Sequence, residues 1–289
     1  MDLISALSFL AGLSIGLAML LALANRFLKV EEDPRIDIVT DSLPGANCGA
    51  CGLPGCRAFA EQVVDGKIQP SQCPVGGPST AEYIANLLGI EAGSMEKKVA
   101  RLLCAGGSDV AIQVGEYEGY SSCRAASTVA GGFKGCTFGC LGLADCEVSC
   151  TFDAIKMAPN GLPIVDMVTC TACGDCVDAC PKDLFEIIPL RRQLLVQCKS
   201  ILEGEAVTDL CSVGCNGCSR CAADAPAGLI EMKYNLPIIE MNRIELQTEI
   251  ATYRCPTRAI VWLDDGQQFP ELHRVLYQKK ESEVKDRAV

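Results

Sequence analysis

The residues of this sequence that could do chemistry are its cysteines. There are 20 of them in 289 residues, against one histidine. Cys170, Cys173, Cys176, Cys180 and the proline after them form the C-x2-C-x2-C-x3-C-P run of bacterial iron–sulfur proteins. Thiolates are soft ligands that suit iron–sulfur clusters, zinc and copper(I). Zinc would only hold a small domain together and does not need the third, closely spaced cysteine, so the spacing favours clusters that transfer single electrons.

This cysteine motif is repeated along the chain. Cys140, Cys146 and Cys150 have the same relative spacing as Cys170, Cys176 and Cys180 in the motif described above. Both motifs then appear again at one constant displacement, which pairs Cys136 with Cys211, Cys140 with Cys215, Cys146 with Cys221 and Cys180 with Cys255. A repeat of this length predicts two ferredoxin-like halves in tandem.

The ligand sets follow from a rule of two-cluster ferredoxins, in which the last cysteine of each motif binds the cluster of the other motif. In the second half this rule joins Cys215, Cys218, Cys221 and Cys255. The sister cluster would need cysteines at positions that hold Ala225, Glu245, Thr248 and Ala251. All the substitutions fall in one cluster, which indicates one intact site beside one site that was lost as a unit.

The first half is less regular. One of its predicted sites is complete, with Cys150, Cys170, Cys173 and Cys176. The other has Cys140, Cys146 and Cys180, but Leu143 stands at the remaining position. A three-iron cluster could use three thiolates. We expect instead that Cys136 is the fourth ligand, with Cys123 as the alternative.

A separate cysteine group precedes both halves. The stretch "LPGANCGACGLPGCRAFAEQVVDGKIQPSQCP" is rich in glycine and proline, which suits tight loops, and it contains Cys48, Cys51, Cys56 and Cys73. Together with the three sites above, it brings the prediction to four 4Fe–4S clusters. The cysteines outside these sets are Cys104, Cys123, Cys198 and Cys211. Cys104 and Cys198 lie in apolar runs, so we expect them to be buried as small hydrophobic residues.

An apolar run without charge opens the sequence, from Leu3 to Ala24. It is long enough to cross a bilayer as a helix. A cleaved signal peptide is the alternative, but no positive charge precedes the run. Because the nearest basic residues, Arg26 and Lys29, follow the run, the positive-inside rule predicts a single-pass anchor in the cytoplasmic membrane with the cysteine-rich part on the cytoplasmic side.

Charge and motifs limit the other functions. The net charge of −11 argues against binding of nucleic acid. There is no G-x-G-x-x-G fingerprint after a strand, so a nicotinamide or flavin pocket of the usual kind is not predicted, and no independent catalytic site is expected. Lys182, Arg191, Arg192 and Lys199 could form a docking patch for an acidic electron carrier, although a solvated charge cluster is the preferred interpretation.

These observations predict an α+β protein in six segments. The segments are a transmembrane anchor (1–28), a small 4Fe–4S domain (29–92), a strand-rich connecting region (93–135), a two-cluster ferredoxin-like domain (136–190), a ferredoxin-like domain with one cluster (191–265) and a charged tail (266–289).

The motifs resemble those of a known family. The apolar anchor, "EEDPRID", "LPGANCGACGLPGCRAFAE", "CRAASTVAGGFKGCTFGCLGLADCEVSC" and "CTACGDCVDACP" are similar to the B subunits of Rnf complexes, the ion-translocating ferredoxin:NAD oxidoreductases. The resemblance implies that electrons pass from reduced ferredoxin through this chain toward the membrane and flavin-bearing subunits, with reduction of NAD and export of Na+ or H+. Thr151 replaces a proline of the motif, and one cluster of the second half is missing. An anchored relay of another membrane oxidoreductase and a zinc-stapled scaffold protein are the alternatives.

Overall fold

Helices and strands are mixed along the chain in the computed structural model, which describes residues 3–28, 33–264 and 266–267. Helices α1 to α10 span Leu3–Leu28, Pro34–Ser42, Cys56–Val64, Gly77–Leu88, Cys123–Thr128, Asp145–Val148, Asp175–Ala179, Glu205–Thr208, Arg220–Asp224 and Ile250–Tyr253. Strands β1 to β8 span Lys98–Leu102, Ile155–Met157, Pro163–Val165, Phe185–Pro189, Leu194–Val196, Ile230–Lys233, Leu236–Ile239 and Ile260–Trp262. Two short 3-10 helices lie at Pro70–Gln72 and Met241–Leu246.

Helix α1 stands apart from the packed part of the chain. Its window Leu7–Ala24 has a mean hydropathy of 2.3, and none of that window is buried. A helix of 26 residues is about 39 Å long, which exceeds the hydrocarbon thickness of a bilayer. Within the described residues, α1 is the one helix long and apolar enough to cross a membrane.

Three helices form a small core after α1. Helix α2 begins at Pro34, and the Asp33 carboxylate before it accepts a hydrogen bond from the Arg35 amide at 2.9 Å, so its first turn is capped. Helix α4 ends at Gly89, whose φ of 66° is the left-handed conformation that favours glycine. Phe59 and Ile84 are buried between the helices. This core fixes the two loops that carry the cysteines of this region.

The rest of the chain repeats one order of elements twice. In the first half, β1 pairs antiparallel with β4, with Leu102 opposite Phe185, and β2 and β3 form a hairpin between them. Helix α6 precedes the hairpin and α7 follows it. In the second half, β5 pairs with β8, with Val196 opposite Ile260, around the hairpin of β6 and β7 and the helices α9 and α10. Each half has its own buried core.

An insertion follows the first strand of each half. Residues 103–144 lie between β1 and α6, and residues 197–219 lie between β5 and α9. The two insertions are joined by backbone hydrogen bonds, among them Ser212 N to Val110 O at 3.0 Å and Ile112 N to Leu210 O at 2.9 Å. The region predicted as strand-rich, 93–135, contains β1, helix α5 and isolated bridges at Ala111 and Gln113. This region therefore contacts the second half directly and is not only a connection between domains.

The predicted tail begins inside the packed structure. Gln267 is 4% exposed, and its side-chain amide bonds both backbone groups of Leu102, with Oε1 2.9 Å from the amide nitrogen and Nε2 2.6 Å from the carbonyl oxygen. The packed chain therefore extends at least to this residue. The remainder of the tail lies outside the described residues.

Candidate metal centres

The cavity next to the helical core brings together the four predicted cysteines Cys48, Cys51, Cys56 and Cys73. Cys56 is the first residue of α3, and its amide donates to Asn47 Oδ1 at 2.9 Å, which folds the loop back over the cavity. A Cβ at Gly55 would lie 2.8 Å from the same oxygen, so this turn needs glycine. Gly76 N donates to Cys73 Sγ at 3.4 Å. The loop thus places the four thiols and a backbone donor around one cavity.

A second cavity is lined by Cys150, Cys170, Cys173 and Cys176, as predicted. Backbone amides reach two of the sulfurs: Ala154 N lies 3.3 Å from Cys150 Sγ and Ala100 N lies 3.5 Å from Cys170 Sγ. Hydrogen bonds to sulfur raise the reduction potential of a cluster. The structure therefore brings these four predicted residues together around one cavity.

Beside this second cavity lies a buried arginine. Arg101 in β1 is 2% exposed, and its Nε and Nη1 atoms have no hydrogen-bond partner among the described residues. Its Nη2 donates only to Met167 Sδ, at 3.0 Å. Burial lowers the pKa of the guanidinium, and the neighbouring Cys170 raises it. A buried cation needs a counter-charge, and four thiolates at the adjacent cavity would supply it.

The third cavity gathers a different fourth cysteine from the one preferred from the sequence. Cys140, Cys146 and Cys180 line it, but the fourth cysteine there is Cys123, the alternative, and not Cys136. Cys123 is the first residue of α5. Asp145 holds this helix end in place, because its Oδ2 accepts from Ser122 Oγ at 2.9 Å and from Arg124 N at 3.0 Å.

A signal in the sequence could have excluded Cys136. This residue has a counterpart in the second half, Cys211, where the corresponding cluster has all four of its own cysteines. Since Cys211 is present although the second half lacks no ligand at that cluster, its counterpart Cys136 is not explained as a replacement for the ligand missing at Leu143. Cys123 has no such counterpart in the structure, because the cysteine at the same displacement, Cys198, lies directly after β5 and not at the start of a helix.

The fourth cavity brings together Cys215, Cys218, Cys221 and Cys255 in the second half, as predicted. Cys215 Sγ lies 3.7 Å from Asn235 O, and Cys255 Sγ lies 3.9 Å from Thr257 Oγ1. Cys218 is the one cysteine in the described part of the chain whose residue is exposed. Of the candidate clusters, this one therefore has a ligand directly at the surface.

The lost site of the second half is filled by the protein itself. Ala251 is fully buried, and Ala225 packs against the same core. Glu245 points outward and pairs with Arg191 at 2.9 Å. Apolar packing and a surface ion pair thus replace the ligands.

A fifth cavity was not predicted. It is lined by Cys104, Cys136, Cys198 and Cys211, which come from both insertions, together with Lys134 and Gln197. The apolar flanks of Cys104 and Cys198 predict burial as small hydrophobic residues. Burial is correct for Cys104, at 7% exposure, but each of the two lies beside three other cysteines.

Burial controls the protonation of these thiols. It raises the pKa of Cys146, Cys176 and Cys211 to about 12, and that of Cys198, Cys215 and Cys221 to about 11. Neighbouring cysteines raise the pKa further, because two thiolates repel each other; for Cys211 these neighbours are Cys104, Cys198 and Cys136. Without a metal these thiols therefore keep their protons at neutral pH, and a metal must displace the protons on binding.

The candidate docking patch is engaged in internal contacts. Lys182 Nζ donates to the carbonyl oxygens of Gly131 and Thr137, both at 2.7 Å. The Arg192 side chain is 7% exposed. Arg191 pairs with carboxylates on two sides, and Lys199 Nζ donates to Asp183 O. These cations stabilise the fold, so they do not form a free surface for an acidic partner.

Comparison with known proteins places these sites in a family context. A family model described as "Putative Fe-S cluster" matches residues 43–75, which contain the first cysteine group. A Methanosarcina acetivorans protein, named as the B subunit of an ion-translocating oxidoreductase complex, is 37% identical over 258 residues, covering 89% of this chain and 97% of that protein. A Clostridium ljungdahlii protein, named as the B subunit of a proton-translocating ferredoxin:NAD(+) oxidoreductase complex, is 40% identical over 257 residues, covering 88% and 90%.

A third relative is longer than this chain. The Acetobacterium woodii protein, named as the B subunit of a Na(+)-translocating ferredoxin:NAD(+) oxidoreductase complex, is 45% identical over 204 residues, which cover 71% of this chain and 61% of that protein. The match to the two relatives above, over nearly their whole length, is therefore the one that decides the family.

Proposed function

Since this chain belongs to the family of B subunits of ion-translocating oxidoreductase (Rnf) complexes, we propose that it relays electrons from reduced ferredoxin into such a complex through 4Fe–4S clusters. The complex would reduce NAD and export Na+ or H+, as the names of the relatives say of those proteins. The family membership confirms the resemblance found in the motifs. Flavin- and NAD-binding subunits would complete the reaction, because the cysteine sites of this chain carry electrons and do not transform a substrate.

One observation carries this proposal: the predicted cysteines gather in fours around separate cavities. Among the described residues, no three His, Cys, Asp or Glu side chains converge closely enough to bind a single metal ion. Four thiols that surround a cavity without converging fit a multi-atom cluster and not one tetrahedral zinc ion. A bound cluster would supply one-electron transfer. The chain's own residues hold it, exclude water and set its potential through amide donors to sulfur.

The repeated order of strand, helix, hairpin, helix and strand supports the proposal of two ferredoxin-like halves in tandem. The first half would hold two clusters, with Cys123, Cys140, Cys146 and Cys180 as the ligands of one and Cys150, Cys170, Cys173 and Cys176 as the ligands of the other. The second half would hold one cluster, with Cys215, Cys218, Cys221 and Cys255 as its ligands. The proposed segment 136–190 lacks β1, which pairs with β4 and belongs to the first half.

The direction of electron flow follows from exposure. Cys218 lies at the surface of the second half, so this cluster is the proposed entry point for electrons from ferredoxin. Helix α1 would anchor the chain in the cytoplasmic membrane, with the cluster domains on the cytoplasmic side. The cluster of Cys48, Cys51, Cys56 and Cys73 is next to the anchor in sequence and would deliver electrons to the membrane subunits.

The test is metal analysis of the full-length chain, purified anaerobically in detergent. Iron, acid-labile sulfide and zinc are measured in one digest, and reduced ferredoxin is added while the visible absorbance is followed. We expect iron and sulfide in equal amounts, at four of each per cluster, and bleaching on reduction. Stoichiometric zinc without sulfide would refute electron transfer. Clusters that ferredoxin does not reduce, in a chain that co-purifies with unrelated subunits, would favour a relay of another membrane oxidoreductase.

A further inference from the structure

We infer that Cys104, Cys136, Cys198 and Cys211 bind a fifth 4Fe–4S cluster at the junction of the two halves. The four thiols line one cavity, whose volume of about 20 Å³ equals that of the cavities at the first group and at both sites of the first half. The position has the same ligand chemistry as the four predicted sites. It also accounts for every cysteine of the chain that those sites leave over once Cys123 takes its place in the third cavity.

Glycines keep the cavity open. A Cβ at Gly106 would lie 3.1 Å from Cys211 Sγ and 3.6 Å from Cys104 Sγ. A Cβ at Gly139 would lie 3.7 Å from Cys136 Sγ. A side chain at Gly106 would therefore enter the space between two of the thiols, and one at Gly139 would contact Cys136. Neither Gly106 nor Gly139 has a positive φ, so backbone conformation alone does not require glycine there.

The internal repeat supplies the four ligands in equivalent pairs. Cys104 follows the end of β1 by two residues, and Cys198 follows the end of β5 by two residues. Cys136 and Cys211 each precede the first cysteine of their own motif by four residues. Cysteines buried only as small hydrophobic residues would have no reason to occupy equivalent positions in both halves and to meet at one cavity. Ligands of one shared cluster would have to meet at one cavity, and contribution by both halves explains their equivalent positions.

Two buried polar side chains line the same cavity. Lys134 is 6% exposed, and within the described residues its Nζ donates to Gly106 O and has no carboxylate partner. A buried ammonium without a counter-ion is costly, and a cluster with four thiolates carries the compensating negative charge. Gln197 is 1% exposed, and neither Oε1 nor Nε2 has a hydrogen-bond partner in the described structure. Its amide is available to donate to a cluster sulfur.

The site lies between the other clusters. Cys140 N donates to Cys104 Sγ at 3.5 Å, and Cys140 is a ligand in the third cavity. On the other side, the backbone amide of Cys215 donates a hydrogen bond to the Cys198 thiol. Cys104, Cys136, Cys198 and Cys211 would release their thiol protons to solvent on binding a cluster. A cluster held there would supply one-electron transfer between the two halves; this relay role rests on the proposed function.

Metal counting on the full-length, anaerobically purified chain tests the inference. We expect about 20 irons and 20 sulfides, from five clusters of four irons. Cys198→Ser and Cys211→Ser should each lose about four irons and keep about sixteen, whereas Ser212→Ala, an exposed neighbour outside the cavity, should lose none. Retention of the other clusters shows that each variant is folded. Spin counting of the reduced protein by EPR should fall by about one spin per chain in the cysteine variants.

Other outcomes overturn the inference. A wild-type chain with about 16 irons, unchanged by Cys211→Ser, would mean that the fifth cavity holds no cluster, while the proposed function would stand. One zinc per chain that disappears in Cys211→Ser would make the site a zinc site. Absence of iron and sulfide from the whole chain would instead refute the proposed function. The wild-type count alone decides the inference if a variant fails to fold.

Discussion

The two halves of the molecule repeat one order of elements but differ at the four positions of one cysteine group. The first half gathers Cys150, Cys170, Cys173 and Cys176 around a cavity. The second half has Ala225, Glu245, Thr248 and Ala251 at the equivalent positions of the repeat. Ala251 is fully buried there, and the neighbouring Ile244 completes the packing. An apolar core stands where the first half gathers its four cysteines, and the order of strands is the same in both halves.

The difference extends to the strand beside the site. Leu102 faces Phe185 in the first half and Val196 faces Ile260 in the second, which makes Arg101 and Leu195 equivalent. Both are buried, at 2% and 0% exposure. The buried cation is present where the cluster site is complete, and an apolar side chain stands where the site is lost. The buried cation and the four gathered cysteines are therefore present together in one half and absent together in the other.

The largest expected effect concerns the ligands of the first half. Cys123→Ser should remove the cluster held with Cys140, Cys146 and Cys180, which is about four irons per chain, because a serine hydroxyl is a harder and weaker ligand for iron than a thiolate. Cys136→Ser should also remove about four irons, but from the fifth site. The two variants are distinguished by redox titration, since each should lack a different one-electron step. Loss of the same step in both would return Cys136 to the third cavity.

How far the sequence predicts these sites depends on the kind of signal. Ligands within a motif were predictable, because they follow one another at short and regular spacing in the sequence. Cys123 was predictable only as the alternative to Cys136, since the hydrogen bonds that place it come from Asp145, a remote residue. Cys104 and Cys198 were not, because an apolar flank indicates burial, and a buried thiol is equally able to be a ligand. The buried start of the predicted tail depends on one amide, that of Gln267, which completes the edge of β1.

The next prediction tests the core that replaced the lost cluster. Ala251→Asp places an unpaired carboxylate where no solvent reaches, and we expect a loss of about 3 kcal/mol or more in the free energy of unfolding. Anaerobic urea unfolding, followed by the visible absorbance of the clusters, measures it. The control is Glu245→Ala at the same lost site: its ion pair with Arg191 is exposed, so the change should stay within about 0.5 kcal/mol. Equal effects of the two variants would mean that the lost site is not a packed core.

A smaller effect is expected from the buried arginine. A unit charge near a cluster contributes about 1–2 kcal/mol at an effective dielectric constant between those of water and protein interior, which is on the order of 50–100 mV for one electron. Arg101→Met should lower the reduction potential of the cluster at Cys170 by this amount, because a positive charge stabilises the reduced cluster. Arg101→Lys is the matched control and should retain most of the potential. EPR-monitored redox titration of the full chain measures both.

The smallest effect should come from the residue that starts α5. Ser122 Oγ caps this helix and donates to Asp145, so Ser122→Ala removes both contacts and should cost about 1 kcal/mol of stability. Since Arg124 N still donates to Asp145, Cys123 should remain a ligand and the iron content should not change. Ser127→Ala, later in α5 and bonded only to its own turn, is the control for a general loss of helix stability. If Ser122→Ala lost iron while Ser127→Ala did not, the hydroxyl would be necessary for holding the cluster, and the bond from Arg124 N to Asp145 would not be enough to position Cys123.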